Sequence, residues 1–211
     1  MLWRITAACA ALVALAITPA IASASPEMVN GMNATIAVPT ELKGTSSNLE
    51  LANGKVTAQC KDITMEGPLK ENTGKFIRGQ MTSATFKGTS GAEKCTTNMA
   101  GVEVVMKNQN LPWCFTEGTL GFTLLGACTG EMELKMEIFS GGVQVASCTY
   151  SRPTFETTHG INIPGLTITL QAAQNFTEIF ETNATWCPGT SASASGSITF
   201  VTTGGVIPKI I

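Results

Sequence analysis

Two residue types that carry much of protein chemistry are nearly missing: Asp62 is the only aspartate and His159 the only histidine in 211 residues. A nucleophile-base-acid triad would have to use that one imidazole, oriented by Asp62 or a glutamate. The order of triad members along a chain is free, but the sequence holds no Gly-x-Ser-x-Gly elbow. His159 falls in Thr157-Thr158-His159-Gly160, a polar, turn-like stretch that reads as a solvated loop. Charge is also scarce, at 13% of residues where soluble domains carry roughly 25%. Serine, threonine, asparagine and glycine fill the gap and imply a neutral, polar surface. With no basic excess to neutralise phosphates, nucleic-acid binding is not expected. After the first two dozen residues no apolar run reaches the roughly 18 needed for a transmembrane helix.

Closely spaced metal ligands are absent too. Zinc takes three or four Cys or His ligands at short spacing, whereas the nearest cysteines after the leader, Cys114 and Cys128, are too far apart for such a knuckle. The methionines offer soft sulfur, but Met132 and Met136 alternate with charged residues and read as core. Aromatic platforms for sugars are few, with Trp113, Trp186 and Tyr150 besides the phenylalanines. Both tryptophans directly precede a cysteine, which points to rings near bridges in the core, with an exposed ring left open by the strand alternation.

What is present starts with the first 24 residues. Arg4, the apolar run Ala7 to Ile17 and Ala22-Ser23-Ala24 have the layout of an export signal. Cleavage is expected before Ser25, with Ser23 as the second choice, leaving residues 25–211 as a single secreted domain. Cys9 leaves with the leader; its apolar run follows it, which does not fit a lipid-acceptor cysteine. Arg4 is the only charge lost, so 12 basic residues face 15 acidic ones in the remainder, a formal charge of −3. Cys60, Cys95, Cys114, Cys128, Cys148 and Cys187 remain. An even number in an exported chain implies three disulfides.

The clearest element is Glu131 to Phe139, where Glu131, Glu133, Lys135 and Glu137 alternate with Met132, Leu134, Met136 and Ile138. Period 2 predicts a half-buried strand with a charged outer row. A glycosidase would need such carboxylates in pairs, but a solvated face that discourages edge pairing is the simpler reading. Ser140-Gly141-Gly142 then predicts a tight turn into a returning strand, Val143 to Tyr150. Further strands are expected at 35–38, 49–51, 56–60, 76–77, 81–86, 102–107, 120–125, 166–170 and 197–202, separated by turn residues such as Asn53-Gly54. Gln171 to Glu181 admits a short helical stripe through Ala172, Phe176, Ile179 and Phe180, although its β-branched flanks favour extended structure. Thr190 to Gly196 reads as a flexible loop, and the end, Gly204 to Ile211, as an edge segment folded over the core. About ten short strands without a long 3.6-period stretch predict an all-β fold: one antiparallel β-sandwich, immunoglobulin-like or jelly-roll-like, or a partly closed barrel. Three glycosylation sequons, at Asn33, Asn175 and Asn183, are expected by chance in so Asn- and Thr-rich a chain.

Several fragments carry a resemblance. Cys60 after a Val-Thr strand, Gly79-Gln80-Met81-Thr82-Ser83-Ala84-Thr85-Phe86 leading to Cys95, Leu111-Pro112-Trp113, Cys148-Thr149-Tyr150, Cys187 and Gly196 to Phe200 together resemble small secreted proteins of actinobacteria with no assigned activity. The resemblance implies a signal peptide and an all-β build, and nothing about mechanism. Six cysteines allow 15 pairings. The sequential one, Cys60–Cys95, Cys114–Cys128 and Cys148–Cys187, avoids crossed connections and matches the resemblance, in which the 114/128 pair looks like an added bridge. No catalytic, cofactor-binding or metal residue is nominated, and no cofactor is expected. The expected role is a non-enzymatic module of the cell envelope or extracellular space with a partner still unknown. The alternatives are a carrier of a small apolar ligand and a hydrolase built on glutamates.

Overall fold

The computed structural model describes residues 26–74, 76–117, 123–159, 166–170 and 175–211; the expected leader lies outside the described residues. Strand β1 (Met28–Val29) precedes eight columns of strand that follow one another round a barrel in chain order. They are β2 (Glu41–Ser46) with β3 (Leu49–Ala52), then β4 (Thr57–Cys60) with β5 (Asp62–Asn72). Next come β6 (Ile77–Met81), β7 (Ser83–Lys87) and β8 (Thr96–Thr97), followed by β9 (Val102–Asn108) with β10 (Trp113–Glu117). The last four columns are β11 (Thr123–Ala127) with β12 (Met132–Ser140), β13 (Val143–Arg152) with β14 (Thr154–His159), β15 (Leu166–Leu170) with β16 (Asn175–Glu181), and β17 (Ser191–Thr202) alone.

Every pairing is antiparallel, and β17 closes the ring by pairing on one side with β15 and β16 and on the other with β2 and β3. The gap between β8 and β9 is bridged by Cys95 opposite Val104. The architecture is therefore the closed form of the expected all-β fold, an up-and-down barrel in which each column turns back on the one before it. Closure removes the sheet edges that would otherwise seek partners. β18 (Lys209–Ile210) pairs with β1, Met28 opposite Ile210, so the end of the chain does fold over the core as an edge segment. Asn72 fixes this ribbon to the β5–β6 turn, bonding both the amide and the carbonyl of Met28 at 2.8 Å.

Alternation builds the wall. In β5, Ile63, Met65 and Leu69 are buried while Thr64, Glu66 and Lys70 face outward. Aliphatic-in and polar-out is the reverse of a membrane-spanning barrel. The interior is filled by interdigitated side chains: Phe115 lies across Gly79 and Phe200 across Gly44, each aromatic directly opposite its glycine. A Cβ at Gly79 would sit 2.0 Å from the Phe115 ring, so only glycine leaves that space. The two rings meet at 6.1 Å, and Phe86 meets Trp113 at 6.3 Å. Among the described residues an apolar void lined by Leu51, Met65, Met106, Trp113 and Phe176, among others, measures about 30 Å³.

The 131–150 hairpin forms as the alternation predicts, with Gly141 and Gly142 at φ 58° and 82° in the turn. Other expectations are corrected. Of residues 35–38 only Thr35 makes a bridge, to Val29. Thr190 to Gly196 is no loop, since residues 191–196 form the first half of β17, held on both sides. The 76–77 and 81–86 runs resolve into β6 and β7, with Met81 closing β6. β16 is a strand, so the helical stripe is not formed there; residues 171–174 lie outside the described residues. β1, β2, β5, β8, β10 and β14 are strands the sequence reading did not place. Among the described residues no helix is long and apolar enough to cross a membrane.

Candidate functional site

The six cysteines pair as Cys60–Cys95, Cys114–Cys128 and Cys148–Cys187. The first pair is fully buried in the core, with the Met106 sulfur 3.4 Å from Cys60 Sγ. His159 closes β14 opposite Ile168, so its backbone is strand rather than turn, and its side chain lies outside the described residues. Asp62 is exposed at the start of β5. In the charged outer row of β12, Glu137 meets Lys107 at 2.8 Å and Lys135 at 3.0 Å, and just before the strand Ser151 donates to Glu131 at 2.6 Å. Burial pushes the Glu137 carboxyl up, but bonds from Lys107 and then Lys135 outweigh it and hold the group below its ordinary value. Met132 and Met136 are core. Trp113 is buried beside its bridge, whereas Trp186 is half-exposed and carries the Lys55 ammonium 4.7 Å above its ring.

The structure brings together a different pair of carboxylates. β13 and β16 run with Cys148 opposite Glu181 and Tyr150 opposite Glu178, and the register slips so that Ile179 has no opposite residue. In a regular strand positions 178 and 181 face opposite sides. The bulge at Ile179 restores them to one side, that of Cys148 and Tyr150. Oxygens of Glu178 and Glu181 and Sγ of Cys187 consequently lie within 4.8 Å of one another. Beside them the wall opens. The β16–β17 ladder ends at Thr177 opposite Ser191, the Glu178 amide makes a last bond to the Thr190 carbonyl at 2.8 Å, and the two segments then part. The parting is anchored from within by Cys148–Cys187 and by Asn183, whose carbonyl accepts from the Trp186 and Cys187 amides at 3.0 Å. A cleft of about 540 Å³ results, lined by Glu178 to Glu181 and Cys187 to Thr190.

Its electrostatics are uncompensated. Among the described residues no lysine or arginine forms an ion pair with either carboxylate. Burial, and after it the Glu181 charge, raises the Glu178 carboxyl above its ordinary value. One Glu178 oxygen is buried without a hydrogen-bond partner, as is the hydroxyl of the fully buried Tyr150. Burial pushes that phenol up to about 12, with the neighbouring Asn53 amide damping the rise and Glu178 and Glu181 adding to it. Asn53 itself is spent on the Trp186 carbonyl at 3.0 Å and the Lys55 and Val56 amides. Cys187 is locked in a disulfide and offers no thiolate, so two carboxylates fall short of a zinc ligand set. What the cleft offers is negative charge at one end of a partly apolar trough, with Ile179 and Phe180 51% and 56% exposed on its rim. Comparison with protein families, curated proteins and solved structures returns no match to this chain.

Proposed function

We propose that the protein is a secreted, non-enzymatic interaction module of the cell envelope or extracellular space. The observation that carries the reading is the filled barrel. Ligand cavities span about 300–1,000 Å³, whereas the apolar void among the described core residues, about 30 Å³, accommodates no small apolar molecule, which speaks against a carrier. With the interior occupied by side chains, recognition falls to the outer surface. The three disulfides support an oxidising, extracellular setting, as do the export-signal layout of residues 1–24 and the resemblance to small secreted proteins.

A hydrolase is the second reading, and Glu178 and Glu181 favour it over the glutamates of β12. Their oxygens lie within 4.8 Å, and Glu178 is pushed toward the protonated form, as a general acid requires. Against it, Thr190 is the only polar side chain besides the two glutamates among the described residues lining the cleft, too little to orient a polyhydroxylated substrate. A screen of glycoside, ester and peptide substrates decides between the two. No turnover above that of Glu178→Gln is expected, and turnover abolished by Glu178→Gln would establish the hydrolase instead.

A further inference from the structure

The barrel wall carries a second cleft, at the level where β17 changes partner and two neighbouring columns turn a corner. From Thr45 opposite Thr199 to Glu50 opposite Ser195 the chain takes five steps through β2 and β3 but four along β17. The surplus residue pushes the corner at Ser47 and Asn48 out to solvent. The side-chain carbonyl of Asn48 pins that corner, accepting from the Ser197 amide and from the Ser46 hydroxyl, each at 3.1 Å. On the other side Lys61, between β4 and β5, turns its amide to the Lys87 carbonyl at 3.0 Å. Between these segments lies a cleft of about 390 Å³, within the range of ligand pockets.

Its lining differs in kind from that of the Glu178 cleft. Of the nine described residues that line it, Ile63 alone is apolar. Its two charges have opposite sign and neither is spent. Lys61 and Asp62 are exposed and form no ion pair among the described residues, whereas Lys43 and Glu66, further along β2 and β5, meet at 3.3 Å. With its carbonyl occupied, Asn48 keeps two N–H donors without a partner among the described residues. A second observation extends the cleft along the wall. Thr85, Thr64, Thr45, Thr199 and Thr167 stand directly opposite one another on five successive strands, all on the outer face. Thr45 and Thr199 belong both to this row and to the cleft lining.

We infer that the cleft binds a neutral glycan strand, which continues from it onto the threonine row. Lys61 and Asp62 cancel, so the lining favours neither an anion nor a cation. An ammonium and an amide N–H donate, a carboxylate accepts, and serine and threonine hydroxyls do both. The ligand that matches such a mixture offers donors and acceptors at every position and carries no charge, as a chain of sugar hydroxyls does. No aromatic ring lines the cleft, so binding rests on hydrogen bonds, and a Kd of about 1 mM is expected.

The inference rests on the non-enzymatic reading and names the partner class. It is tested by following backbone amide shifts of the full-length, disulfide-bonded, isotope-labelled protein during titration with neutral tetrasaccharides of glucose, galactose, mannose and N-acetylglucosamine, each to about 10 mM. Saturable changes confined to residues 45–48, 61–63 and 197–199 and the threonine row are expected with at least one of the four, unchanged in 0.5 M sodium chloride because no net charge is recognised. The Lys61→Ala/Asp62→Ala variant should bind at least about tenfold more weakly. Unchanged shifts elsewhere establish that it is folded; if it is not, Thr199→Val, which removes one hydroxyl from an exposed strand position, carries the comparison with a several-fold loss. No shift with any of the four sugars overturns the inference, as does binding that survives the substitutions. Shifts confined to other residues overturn it as well. A glucuronic acid tetrasaccharide that binds more tightly than the neutral ones, or loss of binding in salt, would make this an anion site at Lys61 and overturn it too. Cleavage of a sugar that Glu178→Gln abolishes strikes the non-enzymatic reading, whereas failed binding without turnover strikes only this one.

Discussion

Glu137 and Glu178 both depart from the ordinary carboxyl value of 4.5, in opposite directions, and the difference is one of neighbours. Glu137 is held low by Lys107 and Lys135. A carboxyl lowered on folding adds stability above its unfolded value and loses it as pH falls through the folded one. Glu178 is raised by burial and by Glu181, so its contribution is fully present below the unfolded value and is lost as pH rises through the raised one. Glu137→Gln should therefore destabilise the protein at pH 7, by about 1 kcal/mol, and Glu178→Gln should stabilise it. Thermal melts of both variants and the wild type from pH 4 to pH 7 check this, with both differences expected to shrink toward the acid end. The β12 row was legible because strict alternation displays it. The cleft pair was not, since a spacing of three along a strand puts two side chains on opposite faces, and nothing in Glu178-Ile179-Phe180-Glu181 announces that Ile179 bulges.

Among the elements, β17 departs furthest from its expected form. Its first half is serine and alanine, and a run of small residues reads as a flexible linker. The same run is also strictly alternating: Ala192 and Ala194 are buried, while Ser191, Ser193 and Ser195 point away from the core. Small inward residues suit a crowded barrel interior, which composition alone does not reveal. β5 escaped for a related reason, as Gly67-Pro68 interrupts an otherwise regular alternation through Ile63, Met65 and Leu69. In β17 the change of partner from β3 to β2 takes place at Gly196, whose φ of +136° lies where L side chains rarely go. A Cβ there would stand 2.7 Å from the Asn48 carbonyl oxygen. Gly196→Ala is expected to cost about 1–3 kcal/mol, read as a lowered urea midpoint with an unchanged slope. A midpoint equal to that of the wild type would mean that β17 does not turn the corner there.

For the whole molecule, chain order is the organising fact: each column lies beside the one before it, and the last closes on the first. Such a meander was legible as class, from short alternating runs between turns, but not as closure. Closure depends on β17 finding β2 and β3 far back along the chain, as in Ser193 opposite Ala52 and Thr202 opposite Leu42, and no local pattern encodes that. The sequential disulfides follow from the same order. Cys60–Cys95 and Cys114–Cys128 each tie neighbouring columns, and Cys148–Cys187 ties β13 to the segment entering β17. Loops of this size give about 3–4 kcal/mol per bridge in the chain-entropy model, a large share of a typical 5–15 kcal/mol. The central claim is that the barrel is stapled and full, so that the protein works from its surface. Native mass spectrometry of the disulfide-bonded protein after incubation with a lipid extract tests it most directly. The account predicts the bare polypeptide lighter by six hydrogens, two for each of the three bridges, with no adduct. A retained lipid, or the mass of a fully reduced chain, would contradict it.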